Sequence, residues 1–87
     1  MIAKIYVKLK KDVSDPQGNA VMGALESLGF DGVQKVHVGK YFVLELENME
    51  NQEAEARVKS MCDRLLTNPV IEDYEFSIEE NSTGERS

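Results

Sequence analysis

Cysteine is nearly absent from this 87-residue sequence: Cys62 is the only one, so the chain can form no internal disulfide. Histidine is equally scarce, and His37 alone offers no cluster for a His-rich metal site or a His–Cys catalytic pair. No apolar run approaches the roughly 18 residues of a membrane-spanning helix. We therefore expect a cytoplasmic protein in a reducing compartment, with Cys62 as a buried, inert thiol.

Two common ligand-binding loops are also missing. Gly39-Lys40 lacks the rest of the Gly-x-x-x-x-Gly-Lys-Ser/Thr phosphate loop, and Tyr41 follows where Ser or Thr is required. Gly18 and Gly23 do not supply the Gly-x-Gly-x-x-Gly spacing of a dinucleotide site. The many acidic side chains are interpreted as a solvated surface, since so small a domain has little room for a pocket. The residues themselves therefore argue against an active site within this chain.

Charge and size limit the partners. A net charge of −6 argues against nucleic acid or an anionic membrane as the main partner. A chain of this length forms one domain of modest stability. Without a disulfide to add to that stability, association with other protein chains is expected.

Periodicity predicts six elements in the order β-α-β-β-α-β. Apolar and polar residues alternate over residues 2–10 and again from 73 to 78, as is typical of strands. The runs 33–38, with Val36 and Val38 on one face, and 41–47, with Phe42, Leu44 and Leu46 on one face, are also predicted as strands. The third strand along the chain is apolar on both sides near its start, which favours a central position. A short turn at Gly39-Lys40 would join the second and third strands as a hairpin.

Both predicted helices carry their own boundary signals. Asp15 is the expected N-cap of the first helix, with Pro16 at its first position and Gly29 as a left-handed C-cap. Asn51 is the expected N-cap of the second helix, which would end at Asn68-Pro69. The two apolar stripes are Val21, Ala24, Leu25 and Leu28 in the first helix, and Ala54, Val58, Met61, Cys62 and Leu65 in the second.

This order is that of the ferredoxin-like fold, an α+β two-layer sandwich. It predicts a four-stranded antiparallel sheet ordered 4-1-3-2 with both helices on one face. The domain would span residues 1–79, and residues 80–87, which lack an apolar period, would be a disordered tail. The other sheet face is too apolar to be simply solvated, and we predict that it joins copies of the chain. Its residues would be Tyr6, His37, Tyr41 and Val43.

Four segments carry a family resemblance. They are Lys10–Val21 with its Asp-Pro-Gln-Gly, Ala24–Phe30, Gly39-Lys40, and Met61–Tyr74 with its Asn-Pro-Val-Ile-Glu-Asp-Tyr. Together they resemble the PurS family, small subunits of phosphoribosylformylglycinamidine synthase, over residues 3–79. The resemblance implies an assembly of three kinds of chain in de novo purine synthesis. In it a glutaminase subunit releases ammonia, and a large synthetase subunit uses ATP and Mg²⁺ to activate formylglycinamide ribonucleotide.

The resemblance also implies the part of this chain. A PurS-type chain would carry neither activity and no cofactor or metal, would form a homodimer or a tetramer, and would hold the two larger chains together while helping ammonia pass between them. Contacts to those chains would lie at the start of the first helix, in the Gly39-Lys40 turn and after the second helix. The candidate residues are Asp15, Pro16, Gln17, Gly18, Lys40, Asn68, Pro69 and Glu72.

Three alternatives remain open at this point. A ligand-binding regulatory module similar to ACT domains shares the fold and would hold a small effector in a dimer groove. Single-stranded RNA could bind Tyr6 and Tyr41 beside Lys4 and Lys8, although the net charge disfavours it. The third alternative is an enzyme, which would turn over glutamine or ATP without partners.

Overall fold

The computed structural model describes residues 1–80 and has an α+β architecture. Its elements are β1 (Ile2–Leu9), α1 (Pro16–Ser27), β2 (Lys40–Glu45), α2 (Asn51–Met61) with a π turn over Cys62–Leu66, and β3 (Glu72–Glu79). Apart from Glu80, the predicted tail 80–87 lies outside the described residues. No helix within residues 1–80 has the length and apolar character needed to cross a membrane.

Within the described residues, the sheet has three antiparallel strands in the order β2-β1-β3. Ile5 of the central strand lies opposite Phe42 on one side and Phe76 on the other. On this face α2 packs against β1, where Val58 and Cys62 are buried in one cluster with Ile5. The core is therefore one helix on one sheet.

The prediction of four strands is wrong for the described part of the chain, because residues 33–38, the second predicted strand, form no strand. The amide of Val38 donates to Oδ2 of Asp15 at 3.0 Å instead of to a neighbouring strand. Gly39 lies so close to β1 that a Cβ there would be 2.5 Å from the carbonyl oxygen of Val7. Residues 38 and 39 are thus held at the start of α1 and the end of β1, and no hairpin forms. The other three strands keep their predicted order, but β2 is an edge strand rather than a central one.

Both ends of α1 are as predicted. Asp15 is the N-cap, with Oδ1 accepting from the amide of Gly18 at 2.8 Å, and Pro16 is the first helical residue. Gly29 has φ of +90°, in the left-handed region. The amides of Gly29 and Phe30 donate to the carbonyls of Glu26 and Leu25, each at 3.0 Å, which are the two bonds of a Schellman motif.

The packing of α1 differs from the prediction that both helices cover one sheet face. Within residues 1–80, no residue of α1 belongs to the core cluster or packs against it. Only Gly18 is buried in this helix, while Val21 and Leu28 are 43% and 73% exposed. The contacts with Val36 and Val38 hold only the first turn, so the apolar stripe extends away from its own sheet.

The stripe of α2 is confirmed at Ala54, Val58 and Cys62, which are all buried, but Leu65 is 81% exposed. The cause is the π turn, in which the amide of Thr67 donates to the carbonyl of Cys62 at 3.0 Å. This i→i+5 bond adds a residue to the turn and shifts the following side chains around the axis. Leu66 therefore packs against the core in the place expected for Leu65.

Candidate functional site

One end of the sheet carries a surface groove of about 390 Å³, bordered by the end of β1 and the starts of α1, β2 and β3. We call it the α1 groove. Five of the predicted partner-contact residues line it: Asp15, Pro16, Gln17, Lys40 and Glu72. The fold thus brings together residues that lie up to 57 positions apart in the sequence.

Asp15 connects two parts of the groove wall. One carboxylate oxygen accepts from the amide of Val38 and the other from the amide of Gly18, the latter inside α1. These two bonds, that of Val38 first, hold the pKa of Asp15 below its ordinary value. The charged carboxylate therefore has a structural task, because it joins the first turn of α1 to residue 38.

Gly18 is buried and permits this close approach. A Cβ at this position would lie 2.1 Å from the carbonyl oxygen of Val36 and 3.0 Å from the Asp15 carboxyl group. Only glycine leaves room for the Val36 backbone against the first turn of α1. Gly18 thus determines the position of the segment that borders the groove.

A second group of bonds forms the opposite wall. Nζ of Lys40 lies 3.4 Å from Oε2 of Glu72 and donates to the carbonyl of Leu66 at 3.5 Å. The amide of Asn68 donates to Oε1 of Glu72 at 2.8 Å. The Glu72 side chain is only 14% exposed, whereas that of Lys40 is 51% exposed. Glu72 therefore fixes the loop after α2 to the start of β2, and Lys40 presents a cation at the rim.

Asn68 and Pro69 lie beside this wall rather than in the groove. The side chain of Asn68 accepts from the amide of Val70 at 3.1 Å and so turns the chain locally. Pro69 borders a neighbouring depression with Lys10 and Thr67, which meets the groove at Glu72. Val70 beside it is 78% exposed.

The open sheet face, on the side away from α2, groups three of the four residues predicted for it. Tyr6 lies opposite Tyr41, and their rings stack with centroids 4.6 Å apart. Tyr6, Tyr41 and Val43 are each 52% exposed. Because the two rings stack on each other, only their outer faces remain for a ligand. His37 lies elsewhere, beside Asn19 and Lys35 near the start of α1.

A polar network on the π turn was not anticipated from the sequence. The hydroxyl of Tyr74 donates to Oδ1 of Asp63 at 2.9 Å, and Nζ of Lys59 donates to Oδ2 at 3.3 Å. The hydrogen bond from Tyr74, followed by that from Lys59, lowers the pKa of Asp63. Burial and then the bond to Asp63 raise the pKa of Tyr74. The i, i+4 spacing of Lys59 and Asp63 was the available signal, but it does not reveal Tyr74.

Cys62 is buried as predicted, and burial raises the pKa of its thiol. This is the environment of an unreactive thiol, because the nucleophilic form is the thiolate. No three His, Cys, Asp or Glu side chains come together to hold a metal ion in residues 1–80.

The fold places the chain among small α+β domains built on a three-stranded antiparallel sheet. The model of the PurS family, "Phosphoribosylformylglycinamidine (FGAM) synthase", matches residues 2–80, and the chain belongs to that family. It is 48% identical over 77 residues to phosphoribosylformylglycinamidine synthase subunit PurS of Bacillus subtilis (strain 168), covering 88% of this chain and 90% of that protein.

Solved structures agree with this assignment. The B. subtilis PurS structure in its C2 crystal form matches with a TM-score of 0.83 and 47% identity, over 91% of this chain and 98% of that one. A chain in the structure of PurLQS from Thermotoga maritima matches with a TM-score of 0.76 and 33% identity, over 88% and 96% of the two chains. The predicted family is confirmed, and the chain is a subunit of FGAM synthase, an enzyme of purine biosynthesis.

Proposed function

We propose that this chain is the non-catalytic assembly subunit of FGAM synthase, which joins the glutaminase subunit to the large synthetase subunit and helps ammonia pass between them. The relative in the PurLQS structure supports a place in such a complex. A joining subunit needs more than one contact surface. The α1 groove and the exposed apolar side chains after α2, Leu65 and Val70, are two separate candidates.

The observation that carries the proposal is the pre-formed α1 groove. Asp15 and Glu72 are held by internal bonds, so the groove walls need little ordering when a partner binds. Gln17 and Lys40 remain exposed at its edge as hydrogen-bond donors. The groove is suited to a loop of a larger subunit that presents carbonyl or carboxylate oxygens.

The remaining assignments follow from this role. Two copies of the chain would meet through the open sheet face, where Tyr6, Tyr41 and Val43 expose apolar surface. ATP and Mg²⁺ would be used by the large subunit and no cofactor by this chain. The complex would be cytoplasmic, and this chain would have no activity when isolated.

Gln17→Glu tests the groove, with Gln52→Glu as its matched control. Both glutamines are exposed and occupy the second position of a helix, so glutamate is equally favourable for the two helix dipoles. At position 17 it removes a hydrogen-bond donor and repels carbonyl or carboxylate oxygens. Each variant is combined with the two larger subunits, and FGAM formation is measured with glutamine and, separately, with ammonium. Binding of the variant chain to the larger subunits is measured by sedimentation velocity.

We expect Gln17→Glu to weaken binding and to lower the glutamine-supported rate, while the ammonium-supported rate stays near wild type. Gln52→Glu should behave as wild type in all three measurements. Equal effects of the two substitutions would remove the groove from the interface. An ammonium-supported rate that falls in parallel with the glutamine-supported rate would mean that the chain acts on the synthetase reaction itself.

A further inference from the structure

A small pocket beside the start of α1 collects positive charge, although the chain as a whole has a net charge of −6. Its volume is about 180 Å³, less than half that of the α1 groove. Three of the ten lysine and arginine residues line it together with the single histidine, and these are Lys10, Lys11, Lys35 and His37. We call this cavity the lysine pocket. Its charge is opposite in sign to that of the whole chain.

The other polar side chains of the lysine pocket add hydrogen-bond donors. Ser14 contributes a hydroxyl group and Asn19 an amide group, and both can donate. The one carboxylate in the lining is Asp15, and its two oxygens already accept from the amides of Gly18 and Val38. Available donors therefore outnumber available acceptors, an arrangement that suits an anion rich in acceptor oxygens.

The cations of the pocket have few partners in the protein. Within residues 1–80, Lys11, Lys35 and His37 form no ion pair with an acidic side chain. Nζ of Lys10 lies 3.9 Å from Oδ1 of Asp73, a long contact between two exposed side chains that contributes little to stability. The fold does not depend on these charges, and they remain available to a ligand.

Backbone hydrogen bonds fix the segments that carry these side chains. The amide of Lys10 donates to the carbonyl of Ile71 at 2.8 Å, and the amide of Val13 donates to the carbonyl of Lys10 at 3.0 Å. The bond from the amide of Val38 to Asp15 holds the residue next to His37 against the start of α1. The backbone of the pocket is therefore formed before a ligand arrives, and only the ends of long side chains must be ordered on binding.

We propose that the lysine pocket binds the phosphate group of a small phosphate monoester such as a sugar phosphate. This group carries about −1.5 to −2 charges at pH 7 and three strong acceptor oxygens, which match the donors of Lys11, Lys35 and His37. Leu9 and Val13 complete the lining with apolar surface for the carbon skeleton of the ester. The volume lies below the roughly 300–1,000 Å³ of sites for drug-sized ligands, so the pocket suits a small molecule.

An NMR titration of the isolated full-length chain with ribose 5-phosphate tests the site at an ionic strength of about 0.15 M. Inorganic phosphate, ribose and citrate are titrated in parallel. We expect saturable shifts of backbone amides within residues 10–19 and 35–38 for ribose 5-phosphate, weaker binding of inorganic phosphate at the same amides, and no shifts with ribose.

The same titrations contain the results that would overturn the site. Shifts that do not saturate, or that lie outside these two segments, would remove the pocket as a phosphate site. Citrate carries more negative charge but no phosphate group, so citrate binding as tight as that of ribose 5-phosphate would reduce the effect to general attraction of anions. Tighter binding of inorganic phosphate than of ribose 5-phosphate would overturn the ester and assign the pocket to the free ion.

Lys35→Gln and its control Arg64→Gln separate the pocket from the total charge of the chain. Each substitution removes one positive charge from an exposed side chain that has no ion pair within residues 1–80, and Arg64 lies in the π turn after α2. Lys35→Gln should raise the dissociation constant for ribose 5-phosphate about threefold, and Lys11→Gln combined with it about tenfold, while Arg64→Gln leaves the constant unchanged. Equal effects of Lys35→Gln and Arg64→Gln would overturn the proposal. Because the larger subunits are absent from these experiments, that result would leave the proposed joining role standing.

Discussion

Gly18→Ala tests the close contact that shapes the α1 groove, and Gly23→Ala is its control in the same helix. The new Cβ at position 18 would have to move about 1.3 Å from the Val36 carbonyl oxygen to reach an ordinary contact distance, whereas nothing lies within 4 Å at position 23. Overpacking of this kind costs about 1–3 kcal/mol. Both variants share the helix-propensity gain of about 1 kcal/mol from glycine to alanine. The difference between them therefore isolates the contact with Val36.

Urea unfolding measures this difference, with both variants at the same protein concentration so that association between copies cannot contribute to it. Gly23→Ala should be more stable than wild type by about 1 kcal/mol, and Gly18→Ala less stable than Gly23→Ala by about 1–3 kcal/mol. In Gly18→Ala the amide of Val38 should also exchange with solvent deuterium faster, since its bond to Asp15 is displaced. Two variants of equal stability with unchanged Val38 exchange would refute the reasoning.

Acidification should weaken the hydrogen bond between Asp15 and Val38. The folded-state pKa of Asp15 is lowered, so the ionised carboxylate contributes its full stabilisation above the ordinary pKa of 3.8. This stabilisation is lost as the pH falls through the folded-state pKa. Amide exchange of Val38, compared with Asp15→Asn at each pH, measures this, and identical pH profiles would contradict it. Tyr74→Phe should raise the pKa of Asp63 toward 3.8, because the hydrogen bond from Tyr74 is the main cause of the lowered pKa. NMR of the Asp63 carboxyl group measures this pKa, and an unchanged value would count against the network. Cys62 should resist iodoacetamide in the native chain and react in urea, and rapid native labelling would contradict its burial.

Local signals in the sequence predicted the boundaries of α1 well. As helix-boundary signals, Asp15, Pro16 and Gly29 each act within four residues of their own position, so the boundaries that they set depend little on the rest of the fold. The strand predicted over residues 33–38 failed for the opposite reason. Val36 and Val38 fit one face of a strand, but the amide of Val38 donates to a carboxylate 23 positions earlier, which no local pattern reveals.

The side-chain directions after Met61 show a second limit. A helical period of 3.6 places Leu65 on the buried stripe, but the π turn shifts the core position to Leu66. The candidate site shows a third limit of prediction from the sequence. Lys40 and Glu72 were singled out through the family resemblance, and only the structure shows that they pair at the edge of one groove with Asp15.

The most direct test of the joining role is reconstitution with and without this chain. FGAM formation by the two larger subunits is measured with glutamine and with ammonium, before and after the wild-type chain is added. The account predicts that the glutamine-supported rate depends on the chain, while the ammonium-supported rate is nearly the same in its absence. A glutamine-supported rate that is equally high without the chain, or turnover of glutamine by the isolated chain, would contradict it.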